Sequence, residues 1–265
     1  MCVDVAALFE RQPWPHQLAG VTSCIERLEN HAESIVFTSP TGGGKSLCML
    51  ALIRYAVERG RRVSLYANRN MLMQQLIGVL DKYEIPFGVR AAQFADRLNL
   101  KEDVQISSLG TESMRVYKRR KWDLHDADLI IVDEAHMQVG PTGLRVLNDH
   151  KTAGAQVIGF TATPMGISHA YDELLVAGTT KELRACGALV VAQMYAPDEP
   201  DLTKIKVQAT GEYSVNDIRK HIWTPQIFGR VYDHWKIYNP DARPALGFAP
   251  GVPESLWFAQ QFRDK

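Results

Sequence analysis

Short apolar runs alternate with segments of helical periodicity over the first two thirds of the chain. Five runs predict strands, and the last two are continuous enough to be buried on both faces: 34–38, 63–67, 104–108, 127–135 and 156–164. Two segments have the apolar spacing of helices, namely 45–60 and 71–83. Strands that alternate with helices predict an α/β fold, with a parallel sheet flanked by helices.

The pattern loosens after about Pro164. The segment 188–196 predicts one more strand, 196–207 is rich in proline and charge, and 217–238 has a helical pattern that Pro225 interrupts. The final residues, 242–265, predict a strand, a turn and a helix. Because one strand cannot close a sheet of its own, we expect the sequence to be a fragment or the product of a truncated gene.

Composition adds little to this picture. The chain has 265 residues, of which 46% are hydrophobic, and this is ordinary for a soluble protein of one domain plus part of another. Lysine plus arginine (30) balance aspartate plus glutamate (30), so net charge gives no argument for nucleic acid. Neither the histidines nor the cysteines have metal-ligand spacing, so free thiols are expected at Cys2, Cys24, Cys48 and Cys186.

The sequence carries no recognisable targeting signal. Its first residues lack a basic start, and no apolar run approaches the roughly 18 residues of a membrane span. We therefore expect a cytoplasmic protein that does not bind a membrane.

The first candidate for chemistry is SPTGGGKS (39–46), between a predicted strand and a predicted helix. Its glycines permit a tight loop whose N–H groups point at phosphates, Lys45 adds positive charge, and the Ser46 hydroxyl suits Mg²⁺. The alternative is a glycine-rich turn without a ligand. The predicted ATP-binding residues are Ser39, Pro40, Thr41, Gly42, Gly43, Gly44, Lys45 and Ser46.

Two further motifs also follow apolar runs. In VDEAH (132–136), Asp133 is predicted to hold Mg²⁺ and Glu134 to activate water, since ligands of parallel sheets bind at the carboxyl ends of strands. In TAT (161–163), the hydroxyls of Thr161 and Thr163 could relay between the phosphate site and the substrate face. Taken singly, either motif could be an ordinary strand end.

The order of these three motifs resembles that of superfamily 2 helicases of the DEAD/DEAH-box type, above all bacterial repair helicases, phage helicases and restriction-enzyme ATPase subunits. The resemblance implies a RecA-like domain that uses ATP and Mg²⁺, with Lys45, Asp133 and Glu134 as catalytic residues. It also implies an adenine-contacting residue, a coupling residue and nucleic-acid contacts, which fall respectively on Gln17, on His136, and on Arg69, Ser108 and Thr111.

The resemblance also implies a domain organisation. Residues 1–195 would form the first RecA-like domain, 196–240 a connector and 241–265 the start of an incomplete second RecA-like domain. The second side of the ATP cleft would then come from elsewhere in the same protein or from a partner chain. Nucleic acid is the expected partner, with DNA favoured over RNA, in a bacterial or phage-infected cell.

Three functions remain open at this point. The first is an ATP-dependent helicase or translocase, and the second is a non-catalytic nucleotide-binding half of a split motor. The third, an unrelated P-loop ATPase, is disfavoured by the order of the motifs. Separately, RVYKRRKWD (115–123) places five basic residues around Tyr117 and Trp122. Such a run is more typical of a solvated helix end, and a phosphate-binding patch with stacking aromatics is the alternative.

Overall fold

The computed structural model describes residues 3–67, 70–195, 202–207, 213–221, 225–249 and 251–265. The chain divides into two units, Met1–Ala192 and Gln193–Lys265, each with its own packing.

A seven-stranded parallel sheet forms the centre of the first unit. Its strands are β1 (Ser34–Thr38), β2 (Val63–Tyr66), β3 (Gly88–Val89), β4 (Val104–Ser107), β5 (Leu129–Val132), β6 (Gln156–Thr161) and β7 (Glu173–Val176). Their order across the sheet is β3-β4-β2-β5-β6-β1-β7. The α/β prediction of a RecA-like parallel sheet flanked by helices is confirmed.

Helices cover both faces of this sheet. They are α1 (Pro15–Glu29), α2 (Lys45–Val57), α3 (Asn70–Lys82), α4 (Leu109–Glu112), α5 (Pro141–Thr152) and α6 (Thr180–Ala185). Successive residues of β1 point to opposite faces, so Ile35 and Phe37 pack with α1, α2 and α3, whereas Val36 packs with α4 and α5. All five residues of β1 are buried, as expected for a strand with neighbours on both sides.

Strand register sets the position of the site. β1 pairs with β6 from Ser34 opposite Val157 to Thr38 opposite Thr161, and β2 pairs with β5 so that Tyr66 lies opposite Val132. Because the strands are parallel and end level with one another, the segments that follow β1, β2, β5 and β6 leave the sheet at the same edge.

The described part of the second unit contains three helices: α7 (Val215–His221), α8 (Pro225–Tyr238) and α9 (Val252–Arg263). Aromatic side chains join α8 to α9, with the Phe228 ring edge-on to the rings of Phe258 and Phe262. The helical prediction for 217–238, with its interruption at Pro225, is confirmed, since α8 begins at that proline.

Two predicted strands are wrong. Residues 188–195 of the predicted strand 188–196 form no regular structure, and Val190 and Val191 are exposed, because β7 already occupies the position beside β1. Residues 242–249 are also irregular, and within the described part of the second unit the only β pairing is an isolated bridge, Val207 to Tyr213, so a strand there has no partner. The sequence pattern missed β3 and β7.

None of the described helices combines the length and apolarity needed to cross a membrane.

Candidate active site

The phosphate loop, residues 39–44, connects β1 to α2 at the carboxyl edge of the sheet. Gly42 and Gly44 have φ angles of +84° and +78°, in the left-handed region that other residues adopt only at a cost. The Gly43 N–H donates to the Pro40 carbonyl at 2.9 Å, which closes the turn. The glycines are therefore needed for the backbone path of the loop, as the sequence predicts.

The first turn of α1 holds this loop from one side. The Gln17 amide donates through Nε2 to the Gly43 carbonyl (3.1 Å), and Gln17 Oε1 accepts from the Trp14 N–H (3.0 Å). His16 Nε2 lies 2.9 Å from the same Gly43 oxygen. Because a carbonyl oxygen only accepts, this bond requires the His16 tautomer that carries its proton on Nε2.

These bonds bear on two residues of the sequence analysis. Gln17, the predicted adenine contact, is buried and bonded to the phosphate loop. His16 received no role from the sequence, because a single histidine beside a glutamine carries no ligand spacing. The only sequence signal for it was its position next to Gln17.

Lys45 lies at the first position of α2 and reaches back over the loop. Its Nζ donates to the Ser39 carbonyl at 3.2 Å and, at a longer 3.5 Å, to the Pro40 carbonyl. Burial lowers the pKa of Lys45, and the carboxylates of Glu134 and Asp133 oppose that shift. The ammonium group is thus close to both acidic side chains of the VDEAH motif.

Asp133 and Glu134 follow β5 directly. The Asp133 N–H donates to the Tyr66 carbonyl at 2.8 Å, and Gln138 Nε2 donates to the Asp133 carbonyl at 2.8 Å. Burial raises the pKa of Asp133, against the opposing effect of its hydrogen bond from the Glu134 N–H. Gln138, which the sequence did not single out, is buried and ties the motif to its own strand end.

Glu134 has a φ angle of +47°, which places a non-glycine residue in the left-handed region. Such a conformation costs about 1–3 kcal/mol and is found most often at functional sites. The turn re-aims the chain after β5, so that Glu134 faces the cleft while Ala135 is buried in the core.

An open cleft of about 340 Å³ brings the predicted catalytic residues together. This volume is within the usual range for small-molecule sites. Its lining combines the phosphate loop, the acidic pair and an apolar wall from α3: Gly42, Gly44, Lys45, Ser46, Met49, Leu72, Gln75, Leu76, Val79, Asp133 and Glu134.

The donor set of the cleft fits Mg²⁺ that arrives with a nucleotide. Ser46 supplies an exposed hydroxyl and Asp133 a carboxylate, and both are hard oxygen ligands. The described residues contain no cluster of three or more His, Cys, Asp or Glu side chains able to hold a metal alone. One or two protein ligands, completed by phosphate and water, is the arrangement that Mg²⁺ ordinarily adopts.

The predicted coupling residues also lie together. His136 Nδ1 is 2.8 Å from Thr161 Oγ1, and that same oxygen accepts from the Thr163 N–H at 3.0 Å. His136 Nδ1 is also 3.5 Å from Glu134 Oε2. The two motifs after β5 and β6 are therefore linked to each other and to the proposed catalytic carboxylate.

The nucleic-acid segment predicted after β4 begins α4. Ser108 caps this helix: its Oγ accepts from the Thr111 N–H at 3.1 Å and donates to Thr111 Oγ1 at 2.9 Å. Ser108 thus has a structural role as a helix cap, and both side chains are only half-buried. The third predicted contact, Arg69, lies outside the described residues.

A cover over the phosphate loop was not expected from the sequence. A Cβ added at Gly42 would lie 2.7 Å from Leu189 Cδ2, and one added at Gly43 would lie 3.2 Å from Leu183 Cδ2. The segment after β7 therefore packs on the loop through two leucines: Leu183 belongs to α6, and Leu189 lies in the region where the sequence predicted a strand.

Known proteins with this pattern identify the family. The model of the family described as "Type III restriction enzyme, res subunit" matches residues 10–166. The chain belongs to this family. The predicted resemblance to superfamily 2 helicases is confirmed, and it rests on the matched residues 10–166.

A curated phage protein is similar to most of this chain. A "51.5 kDa protein" of Lactococcus phage (isolate 7-9) is 26% identical over 231 residues, which cover 85% of this chain and 46% of the phage protein. The chain thus spans about half the length of this curated relative.

Two solved helicases share the fold. The UvsW helicase of bacteriophage T4 has a TM-score of 0.51 and 16% identity, covering 63% of this chain and 60% of that one. The Hef helicase domain of Pyrococcus furiosus has a TM-score of 0.52 and 20% identity, covering 62% of this chain and 38% of that one.

Proposed function

We propose that this chain is the ATP-binding side of a nucleic-acid motor, an ATP-dependent helicase or translocase. The observation that carries the proposal is the shared cleft, in which Lys45 faces Asp133 and Glu134 beside a glycine-rich loop. Family membership supports ATP-dependent, helicase-like activity in general, and the assignment of roles to individual residues is part of the proposal.

The roles follow from the chemistry of each group. The loop N–H groups and the amino end of α2 bind the phosphates, and Lys45 leaves the Ser39 carbonyl to neutralise their charge. Glu134 orients the attacking water and accepts its proton. Bound Mg²⁺, held by Ser46 and Asp133, would neutralise charge on the phosphate oxygens.

Nucleic acid is proposed to contact the segments that follow β2 and β4, through Arg69, Ser108 and Thr111. Hydroxyls and backbone amides suit phosphate contacts that do not read sequence. The His136–Thr161 bond is proposed to pass changes at Glu134 to the Thr161–Thr163 segment. We favour DNA over RNA as the nucleic acid, because the family is described as a subunit of a type III restriction enzyme, and restriction enzymes cut DNA.

A second function is favoured by one observation. The chain covers about half of its phage relative, and charge from a second domain normally stabilises the transition state of such reactions. In this alternative the chain binds ATP, hydrolyses it slowly, and gains full activity from a second motor domain in the same protein or in a partner chain.

The test is steady-state ATP hydrolysis with and without single-stranded DNA, duplex DNA and RNA. Stimulated turnover that disappears in Lys45→Ala and in Glu134→Gln supports the motor. ATP binding that persists in Glu134→Gln but not in Lys45→Ala, without turnover in the wild type, supports the half-motor. Unaltered turnover in Glu134→Gln contradicts the assignment of the base.

A further inference from the structure

A strongly basic surface lies at the end of the helix that starts with Ser108. The α4 helix continues as one π-helical stretch, Ser113–Lys118, and a turn follows in which Arg120 has a φ angle of +47°. The Lys121 N–H donates to the Arg115 carbonyl at 2.8 Å and closes this turn. We define the basic patch as Arg115, Lys118, Arg119, Arg120 and Lys121, with Arg145 of α5 beside it.

These six cations have no salt bridge to any carboxylate of the described residues. Three nearby carboxylates have other partners: Glu112 pairs with Arg90 (3.0 Å), Asp126 with Arg62 (3.4 Å), and Asp149 accepts from the Tyr117 hydroxyl. Asp123, at the end of the same run, is exposed and adds one negative charge beside the five cations of the run. Five of the six cations are exposed and Arg115 is half-buried. A protein of zero net charge therefore carries a local excess of positive charge here, on cations that form no ion pair.

A buried ion pair anchors the start of the segment that carries the patch. The Arg90–Glu112 ion pair is buried on both sides, and Glu112 ends α4, immediately before the π-helical stretch. Removing one partner of such a pair would leave a buried charge, so the pair fixes where the stretch starts. The patch is thus attached to the same short helix whose first residues are the proposed nucleic-acid contacts.

The aromatic side chains of this region hold cations. The guanidinium of Arg145 lies 4.0 Å from the centre of the Tyr117 ring. Around Trp122, the Arg90 and Arg115 guanidinium groups lie 5.2 and 5.8 Å from the ring centre, and the Lys121 ammonium lies at 5.4 Å. Rings engaged by cations in this way hold those cations in position and are not free platforms for unpaired bases.

We propose that the basic patch binds the phosphate backbone of a nucleic-acid duplex. Without free aromatic faces, the patch cannot stack on the bases of a single strand, so its binding to nucleic acid would depend on charge alone. A duplex carries about one charge per 1.7 Å of axis, twice the density of one strand, so a charge-based surface prefers it. This proposal rests on the proposed function, and it gives the same domain a second nucleic-acid contact, one that binds duplex, in addition to the proposed contacts after β2 and β4.

The experiment compares two triple variants with equal charge. The patch variant is Lys118→Gln, Arg119→Gln, Lys121→Gln, which leaves the half-buried Arg115 and the left-handed Arg120 in place. The control variant is Lys101→Gln, Lys181→Gln, Arg184→Gln, from exposed positions elsewhere in the first unit. Affinity for a short mixed-sequence DNA duplex, for one of its strands and for poly-glutamate is measured over a range of salt concentrations.

For duplex, we expect the patch variant to bind roughly tenfold or more weakly at low salt, with a slope of log affinity against log salt that is smaller by about 2–3. The control variant should match the wild type, and both variants should keep the wild-type melting temperature and ATP affinity.

Several outcomes would overturn the proposal. An equal loss in both variants would mean a general charge effect. An equal fractional loss for duplex and single strand would remove the duplex assignment, and a loss confined to poly-glutamate would indicate an acidic protein partner. Unchanged duplex binding by the patch variant contradicts the patch alone, whereas a wild type that binds no nucleic acid contradicts the proposed function as well.

Discussion

His136 and Thr161 join the ends of two neighbouring strands through a 2.8 Å hydrogen bond between Nδ1 and Oγ1. The same Thr161 oxygen accepts the Thr163 N–H, so one buried hydroxyl organises both motif segments. The sequence placed these residues in separate motifs, and their bond gives the proposed coupling a physical route.

Removing this hydroxyl tests the route. In Thr161→Val the side chain keeps its shape but loses the bonds to His136 and to the Thr163 N–H. We expect nucleic-acid-stimulated ATP turnover to fall about tenfold, while ATP affinity changes little, since each lost bond costs about 0.5–1.5 kcal/mol. The measurement is the ratio of ATP turnover with DNA to turnover without DNA. Thr152→Val, at an exposed end of α5, is the control. A wild-type ratio in Thr161→Val would mean that the bond plays no part in coupling.

His16 is expected to support ATP binding through the loop. In His16→Leu the Gly43 carbonyl keeps only the Gln17 donor, so the loop is held less firmly. The loss of one neutral hydrogen bond, about 0.5–1.5 kcal/mol, corresponds to roughly two- to tenfold weaker ATP affinity. Titration with a fluorescent ATP analogue measures it, with His169→Leu as an exposed control. If both variants bind ATP as the wild type does, the hydrogen bond between His16 and the Gly43 carbonyl does not contribute to ATP affinity.

The two positive-φ glycines Gly44 and Gly154 form a matched pair. An alanine Cβ at Gly44 (φ +78°) would lie 2.1 Å from Gln17 Nε2, whereas at Gly154 (φ +95°) nothing lies within 4 Å. We expect both alanine variants to lose about 1–3 kcal/mol of stability from the left-handed backbone. Only Gly44→Ala should also lose ATP binding. Urea unfolding and ATP titration separate the two effects, and equal ATP affinities in the pair would refute this account of the loop.

Two buried histidines predict acid sensitivity. Burial lowers the pKa of His150 from 6.5 to about 4, and Arg90 adds to the shift. Burial likewise lowers the pKa of His125 from 6.5 to about 3, with help from Arg62 and Arg90. His150 Nε2 lies 2.7 Å from the Tyr66 hydroxyl, and a neutral ring can make this hydrogen bond in either direction.

The direction in which stability changes with pH follows from which state of the chain binds protons. Above pH 6.5 both rings are neutral whether the chain is folded or unfolded, so their contribution is complete. As the pH falls through 6.5 towards 4, only the unfolded chain takes up protons, and stability falls by up to about 1.4 kcal/mol per unit per histidine. Urea unfolding from pH 7 to pH 4 should show a shallower fall in His150→Gln than in the wild type or in the exposed control His169→Gln. Parallel curves would contradict a buried neutral His150.

The strands that the sequence predicted well are those with strong continuous apolar runs. LIIV of β5 and VIGF of β6 are buried on both faces, so composition alone marks them. The order of the motifs then places the proposed catalytic and coupling residues after these strands. The strand β7 was missed because, at the sheet edge, only one of its four residues is buried. A run with a single buried position has no distinctive pattern.

The apolar run at 188–196 misled for the opposite reason. Apolar composition indicates a tendency to be buried, but a strand also needs a backbone partner, and β7 had already paired with β1. In this run Leu189 packs on Gly42, while Val190 and Val191 are exposed. The contacts of His16 to the Gly43 carbonyl and of Gln138 to the Asp133 carbonyl were equally hidden, because no side-chain pattern encodes bonds to main-chain carbonyls.

The phosphate loop follows β1, which is paired on both sides, and is contacted by Leu189 in a segment without regular structure. Amide hydrogen exchange should distinguish the strand from that segment. Protons on β1, paired on both sides, should exchange only when the whole domain unfolds, whereas those of Val190 and Val191 should exchange through small local openings. A nucleotide in the cleft would then leave the exchange of β1 almost unchanged and slow that of the cover next to Leu189. Nucleotide binding would therefore be detected as slower amide exchange in the residues that open most easily, and the exchange rates of the central strand would not report it.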